Sequence, residues 1–184
     1  MTFTAVATDL ESGEEVWLRE GKLFDAIRAS IATPMVFTPF LHGERTLLDG
    51  ALVNPLPIGP TLNDATDLTV VVNLSGLAEL RPVPVVSMQT VNGDSYRQRV
   101  RSFIDSLHLA RSPAAPSRGL FDVAVTAMQT MQDTITRLKL AAFSPDVTVD
   151  IPRNACGFFE FWRAEELIAL GRERAAQGFS KSGY

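Results

Sequence analysis

The sequence predicts an α/β fold, and three observations carry that prediction. Strand-like segments alternate with helical ones; Leu68–Gly76 is a continuous apolar run of the kind covered on both faces in a parallel sheet; and the chain opens on two alternating stretches joined by a turn. The first two imply a layered α/β core, and the third adds an antiparallel hairpin, making the expected sheet mixed. At 184 residues and 46% hydrophobic content, the chain has material for one core, read as a single domain over 1–184.

Taken in order, Thr2–Leu10 alternates small polar and apolar residues, "ESGEE" is a turn signal, and Glu15–Glu20 alternates again. Gly21 breaks the pattern. Leu23, Ala26, Ile27 and Ser30 then fall at helical spacing, and Thr33-Pro34 stops the helix near Ala32. "MVFTPFLHGER" carries a proline and a turn, and leads into a short apolar strand, Thr46–Leu48, that exits on Asp49-Gly50. "PIGPTLNDA" reads as a short helix or turn before the strand Leu68–Gly76. From 77 to 119 the pattern weakens; Ser95–Ala110 is an amphipathic helix with Val100, Phe103, Ile104 and Leu107 on one stripe. That segment is expected to be either a mobile lid or a helix packed permanently on the sheet. Leu120–Phe143 keeps Leu120, Ala124, Ala127, Met131, Ile135 and Leu138 in helical register, with Met128 and Met131 as core filler. Asp146–Pro152 is a last strand, and a closing helix turns Leu167, Ile168 and Leu170 inward and ends at Gly178, leaving 179–184 as a tail.

Charge and composition narrow the function classes. The 17 basic and 21 acidic residues are dispersed, with no basic block to neutralise phosphates, so nucleic acid is not expected as a partner. Cys156 is the single cysteine and cannot form an internal disulfide, which fits a reducing, cytoplasmic compartment. No Cys/His cluster has metal-ligand spacing and no Gly-rich phosphate loop appears, so neither a metal nor a cofactor is expected. No apolar run reaches the roughly 20 residues of a spanning helix.

Among residues that could carry chemistry, Asp49 stands first. Sites in open α/β sheets assemble at the carboxyl ends of strands, and a glycine after the acid lets a substrate or another backbone segment come close. The alternative is a plain Asp-Gly turn. His42 lies in a turn and His108 near a helix end, each expected to be solvated or capping. No serine occupies a G-x-S-x-G elbow: Ser12 and Ser75 lack the flanking glycines, and Ser30 falls inside a helix. Unaided, the residues offer an acid and no nucleophile.

"AVATDLESGEEVWLREG", "LFDAIRASIATPMVFTPF", "LLDGALVNPLP", "FSPDVTVDIP" and "FWRAEELIALGRERA" resemble, in that order, the carboxy-terminal portion of a bacterial patatin-like phospholipase. The second of these contains an Ala-Ser before a Pro and Phe-x-Pro, and the third Asp-Gly-Ala followed by Asn-Pro-x-Pro. The resemblance implies a three-layer α/β sandwich and a Ser-Asp dyad that cleaves carboxylic esters in lipids without metal. It places Asp49 as the dyad acid and Ser30, Gly50 and Asn54 as substrate-site lining. It also implies a lipid or acyl-ester substrate, peripheral membrane contact, and a serine elbow and glycine-rich loop upstream of Met1. The chain is then expected to be an incomplete domain, inactive alone, that self-associates through an exposed sheet edge or apolar face. Two rivals remain: a non-catalytic binding module on the same scaffold, and a hydrolase pairing Asp49 with Asp9, although Asp9 is expected to be solvated beside its turn.

Overall fold

Alternation at the amino terminus produces two strands, β1 (Ala5–Asp9) and β2 (Glu15–Leu18), paired antiparallel with Ala5 opposite Leu18 and Thr8 opposite Glu15. They belong to a computed structural model that describes residues 2–80, 119–157 and 159–184. Helix α1 (Leu23–Ser30) follows, with Asp25 in its first turn and Arg28 in its last, each complementing the helix dipole. The prolines after it do not prevent a second hairpin: β3 (Phe40–His42) pairs with β4 (Arg45–Asp49) across the turn at Gly43. The sequence pattern shows β4 but not β3. All four strands form one antiparallel sheet in the order β2-β1-β4-β3.

This sheet belongs to the first of two compact units, which runs up to Thr69 and also includes Met128–Pro145. Its core consists of Ala5, Ala7, Leu18, Ala29 and Leu47, with α1 packed on β1 and β4. Alanines at the contact let the helix come close, and Leu47 is fully buried among them. Ala7 lies opposite Asp49 and Asp9 opposite Leu47, so these residues share the α1 side of the sheet. Val6, Thr8, Glu15 and Trp17 point to the other side. There they meet Gly50 and the turns that follow it, two 3-10 segments at Gly50–Leu52 and Gly59–Thr61. β1 is buried along its whole length because both its faces are covered.

The second unit contains β5 (Val70–Gly76) and β6 (Val147–Pro152), paired in parallel, and helix α3 (Ala164–Ser182) packed on β6. Helix α2 (Leu120–Phe143) has the limits the sequence predicts. The described strands therefore form an antiparallel sheet and a separate parallel pair, where the sequence reading expected one mixed sheet. β5 is parallel as expected but is not covered on both faces: Val71 and Asn73 are buried, whereas Val70, Val72 and Leu74 are exposed. A continuous apolar run cannot say which of its faces meets a neighbour. The same limit explains α2, where Leu120, Met131 and Leu138 are exposed and Thr136 is its buried residue, and Ile168 of α3, which is also exposed.

Gly178 does not end α3. It lies against β6, where a Cβ would stand 3.1 Å from the Thr148 carbonyl oxygen, and the helix continues to Ser182 before Gly183 takes the left-handed cap. Residues 179–182 are thus helical, where the sequence reading expected a frayed tail. The amphipathic stretch Ser95–Ala110 and His108 lie outside the described residues.

Candidate functional site

Asp49 ends β4, where the chain crosses from the α1 face of the sheet to the opposite one. Four hydrogen bonds hold it. Its N–H donates to the Ala32 carbonyl at 3.0 Å and its carbonyl accepts from the Thr8 hydroxyl at 2.9 Å. Its carboxylate accepts from the Ala51 N–H on Oδ1 at 2.9 Å and from the Thr33 hydroxyl on Oδ2 at 2.7 Å. Thr33 is itself buried and sits where Pro34 stops the α1 segment, so the helix end delivers a donor to the acid.

Gly50 is required for space. A Cβ there would stand 2.2 Å from the Val6 carbonyl oxygen and 2.6 Å from its carbon, both backbone atoms of β1. The glycine lets the chain pass directly against the β1 backbone at Val6.

Asp49 is half-buried and forms part of the wall of an open cleft of about 320 Å³. Ser30, Gly50 and Asn54 line the same cleft, so the structure brings together all four site residues named from the sequence. Ile27, Ile31, Pro55 and Pro57 make much of the remaining wall apolar. Asn54 is 3% exposed and donates from Nδ2 to Glu15 Oε1 at 2.6 Å. Thr33, Thr8 and Glu15 carry no sequence signal as partners: they lie 16, 41 and 39 positions from the residues they hold.

Asp9 differs from expectation. It is 8% exposed, not solvated: its Oδ1 accepts the Glu11 N–H at 3.0 Å, its carbonyl accepts the Gly13 N–H at 2.8 Å, and its Oδ2 lies 3.8 Å from Arg45 Nε. The carboxylate is occupied in shaping the β1–β2 turn and does not line the Asp49 cleft. His42 is exposed at the β3–β4 turn. Ser12 accepts the Glu14 N–H in an exposed turn, and Ser75 lies in β5 with its N–H on Asn73 Oδ1. Among the described residues no group of three or more His, Cys, Asp or Glu could hold a metal ion, and no helix is long and apolar enough to cross a membrane.

The chain is similar to known proteins over the part that contains Asp49 and over longer stretches. Residues 2–62, which contain β1 to β4, α1 and Asp49, match the patatin-like phospholipase family. Over a longer stretch the chain is 31% identical to uncharacterized NTE family proteins of Mycobacterium bovis and Mycobacterium tuberculosis, in alignments covering 95% of this chain and 62% of each relative. Another uncharacterized NTE family protein of Mycobacterium tuberculosis is 35% identical over 72 residues, which is 39% of this chain and 12% of the relative. The chain is thus similar to the patatin-like phospholipase family over residues 2–62 and to NTE family proteins over most of its length. The chain spans about 62% of the length of these 31%-identical mycobacterial relatives.

Proposed function

We propose that the chain supplies the base of a Ser-Asp dyad that hydrolyses carboxylic esters of lipids. Asp49 accepts the proton, and the nucleophilic serine and the oxyanion donors come from a segment outside these 184 residues. One observation carries the reading: the Asp49 carboxylate is fixed from two sides yet stands in the wall of an open, largely apolar cleft. An ionised carboxylate has about four lone-pair positions, and Thr33 and Ala51 use two, which leaves room for a serine hydroxyl.

In this reading the serine oxygen attacks the ester carbonyl while its proton passes to Asp49. Collapse of the tetrahedral intermediate returns that proton to the departing alcohol and leaves an acyl-serine. Water then attacks the acyl group, giving a proton to Asp49, and the acid product leaves as the proton returns to the serine. The lining of isoleucine and proline suits an acyl chain, and Ser30, Gly50 and Asn54 share the wall with Asp49.

A second reading has its own observation. Asp49 Oδ1 caps the 3-10 turn at Gly50–Leu52, a purely structural task that a non-catalytic binding module would retain. The two are separated by assaying short-chain ester hydrolysis in the protein expressed at its full genomic length. Asp49→Asn is expected to remove most of the activity, by on the order of a thousandfold, as loss of a base does in serine hydrolases. The 184-residue chain alone is expected to be inactive. Full activity in Asp49→Asn would leave the acid with its capping task.

A further inference from the structure

The loop after Asp49 is held partly by its own amides, among them those of Val53, Asn54, Ile58 and Thr61. Prolines at 55, 57 and 60 each remove a backbone N–H. Side chains of β2, and Arg19 just beyond it, add to this hold. Glu15 Oε1 accepts from the Asn54 amide at 2.6 Å and also from the Trp17 indole N–H. Arg19 stacks 5.0 Å over the Trp17 ring and donates to the Pro60 carbonyl at 3.0 Å. Glu15, Trp17 and Arg19 alternate along the chain, so one row of side chains grips both ends of the loop.

The near end of that grip leads to the acid. The Asn54 N–H donates to the Gly50 carbonyl at 2.8 Å, closing the turn whose Ala51 N–H holds Asp49 Oδ1. Asn54 Oδ1 is buried with no partner among the described residues, so the bond to Glu15 is the hydrogen bond that fixes this side chain. We infer that Glu15 is a positioning residue of the Asp49 site: its carboxylate fixes Asn54, and through the Gly50–Asn54 turn it fixes where the Asp49 carboxylate stands in the cleft. The inference rests on the reading of Asp49 as the base. What Glu15 supplies is an acceptor oxygen, so a glutamine, whose amide oxygen can take the same two donors, serves in its place.

The test compares Glu15→Ala, Glu15→Gln and Asp49→Asn at full genomic length. A misplaced base lowers turnover more than substrate binding, so Glu15→Ala is expected to reduce kcat on the order of tenfold with KM changed by less than about twofold. Glu15→Gln is expected to restore kcat to within about twofold of the unaltered protein. Amide exchange at Ala51 supplies a readout independent of turnover: it accelerates in Glu15→Ala, stays slow in Glu15→Gln, and leaves the amides of β6 unchanged in both. If Glu15→Ala does not fold, Glu15→Asp replaces it, since one methylene less withdraws the acceptor from Asn54. An unchanged kcat in Glu15→Ala beside an inactive Asp49→Asn overturns the inference, as does Glu15→Gln falling as far as Glu15→Ala. Should Asp49→Asn keep full activity, the dyad reading fails, and Ala51 exchange alone then decides whether Glu15 fixes the turn.

Discussion

Replacing Gly50 by alanine tests the claim that the acid is placed by backbone contact. The new Cβ would stand 2.2 Å from the Val6 carbonyl oxygen, where ordinary contacts begin at 3.4 Å. The turn must therefore withdraw by about 1.2 Å, because Val6 lies in β1, which is paired on both sides and cannot yield. A shift of that size breaks the Ala51-to-Asp49 hydrogen bond and strains the Asn54-to-Gly50 one. Overpacking at about 1–3 kcal/mol and a stranded Ala51 N–H at about 1–2 kcal/mol together give a destabilisation of about 2–5 kcal/mol. At about 2–4 °C per kcal/mol for a chain of this size, thermal unfolding should begin on the order of 10 °C lower. Gly171 in α3 is the control, since a Cβ there meets nothing within 4 Å; alanine should stabilise by about 0.5–1 kcal/mol. Gly50→Ala within about 1 kcal/mol of the unaltered chain, measured by urea denaturation, would refute the close-approach argument.

Thr33→Val removes the hydroxyl that donates to Asp49 while keeping the side-chain volume; we expect a loss of about 1–2 kcal/mol, softened by water in the open cleft. In an Asp49→Ala background the same substitution should cost much less, and equal costs in the two backgrounds would show no coupling. Arg163 joins Glu160 and Glu166 ahead of and within the first turn of α3, at 2.7 Å to each. The Gly157 amide and then Arg163 hold Glu160 below the ordinary carboxylate range, and Arg163 does the same for Glu166. Both groups favour folding above the ordinary carboxylate value of 4.5, and their contribution is lost as pH falls through the depressed folded values. An acid titration followed by circular dichroism should show a shallower acid limb in Arg163→Met, and an unaltered limb would exclude the cluster as its source. The exposed face of β5, with Val70, Val72 and Leu74, leads us to expect self-association of the chain, and a 20.1 kDa species by light scattering at high concentration would contradict it.

Some of this architecture was legible because the signals are local. The β1–β2 hairpin follows from alternation around "ESGEE", α2 from a sustained helical period, and the strand exit at Asp49 from an apolar run broken by Asp-Gly. The three residues of β3, directly after Pro39, were hidden because their register comes from β4 and not from their own pattern. Long-range partners leave no such trace. Thr33, Thr8 and Glu15 are ordinary helix-end and strand residues until the sheet folds. Asp49 does not owe its place to the rule for parallel sheets, in which crossover connections put sites at strand ends. β4 is antiparallel to both of its neighbours, and Asp49 is special because the chain changes faces there.

That geometry lets the capping task of Asp49 and its proposed task as a base be taken apart. The cap needs only an acceptor at Oδ1, which asparagine provides as well as aspartate. With an amide at position 49, the NH2 group would face Thr33 Oγ1, and a hydroxyl that donated to a carboxylate can rotate to accept instead. Asp49→Asn should therefore keep the turn and fold within about 1 kcal/mol of the unaltered chain, whereas Asp49→Ala, which strands the Ala51 amide, should lose about 1–2 kcal/mol. Proton transfer has no such substitute, because an amide cannot take up the serine proton at neutral pH. An Asp49→Asn protein that is stable but inactive would thus assign the acid to chemistry; one that unfolds as readily as Asp49→Ala would show that the carboxylate charge itself holds the crossing together.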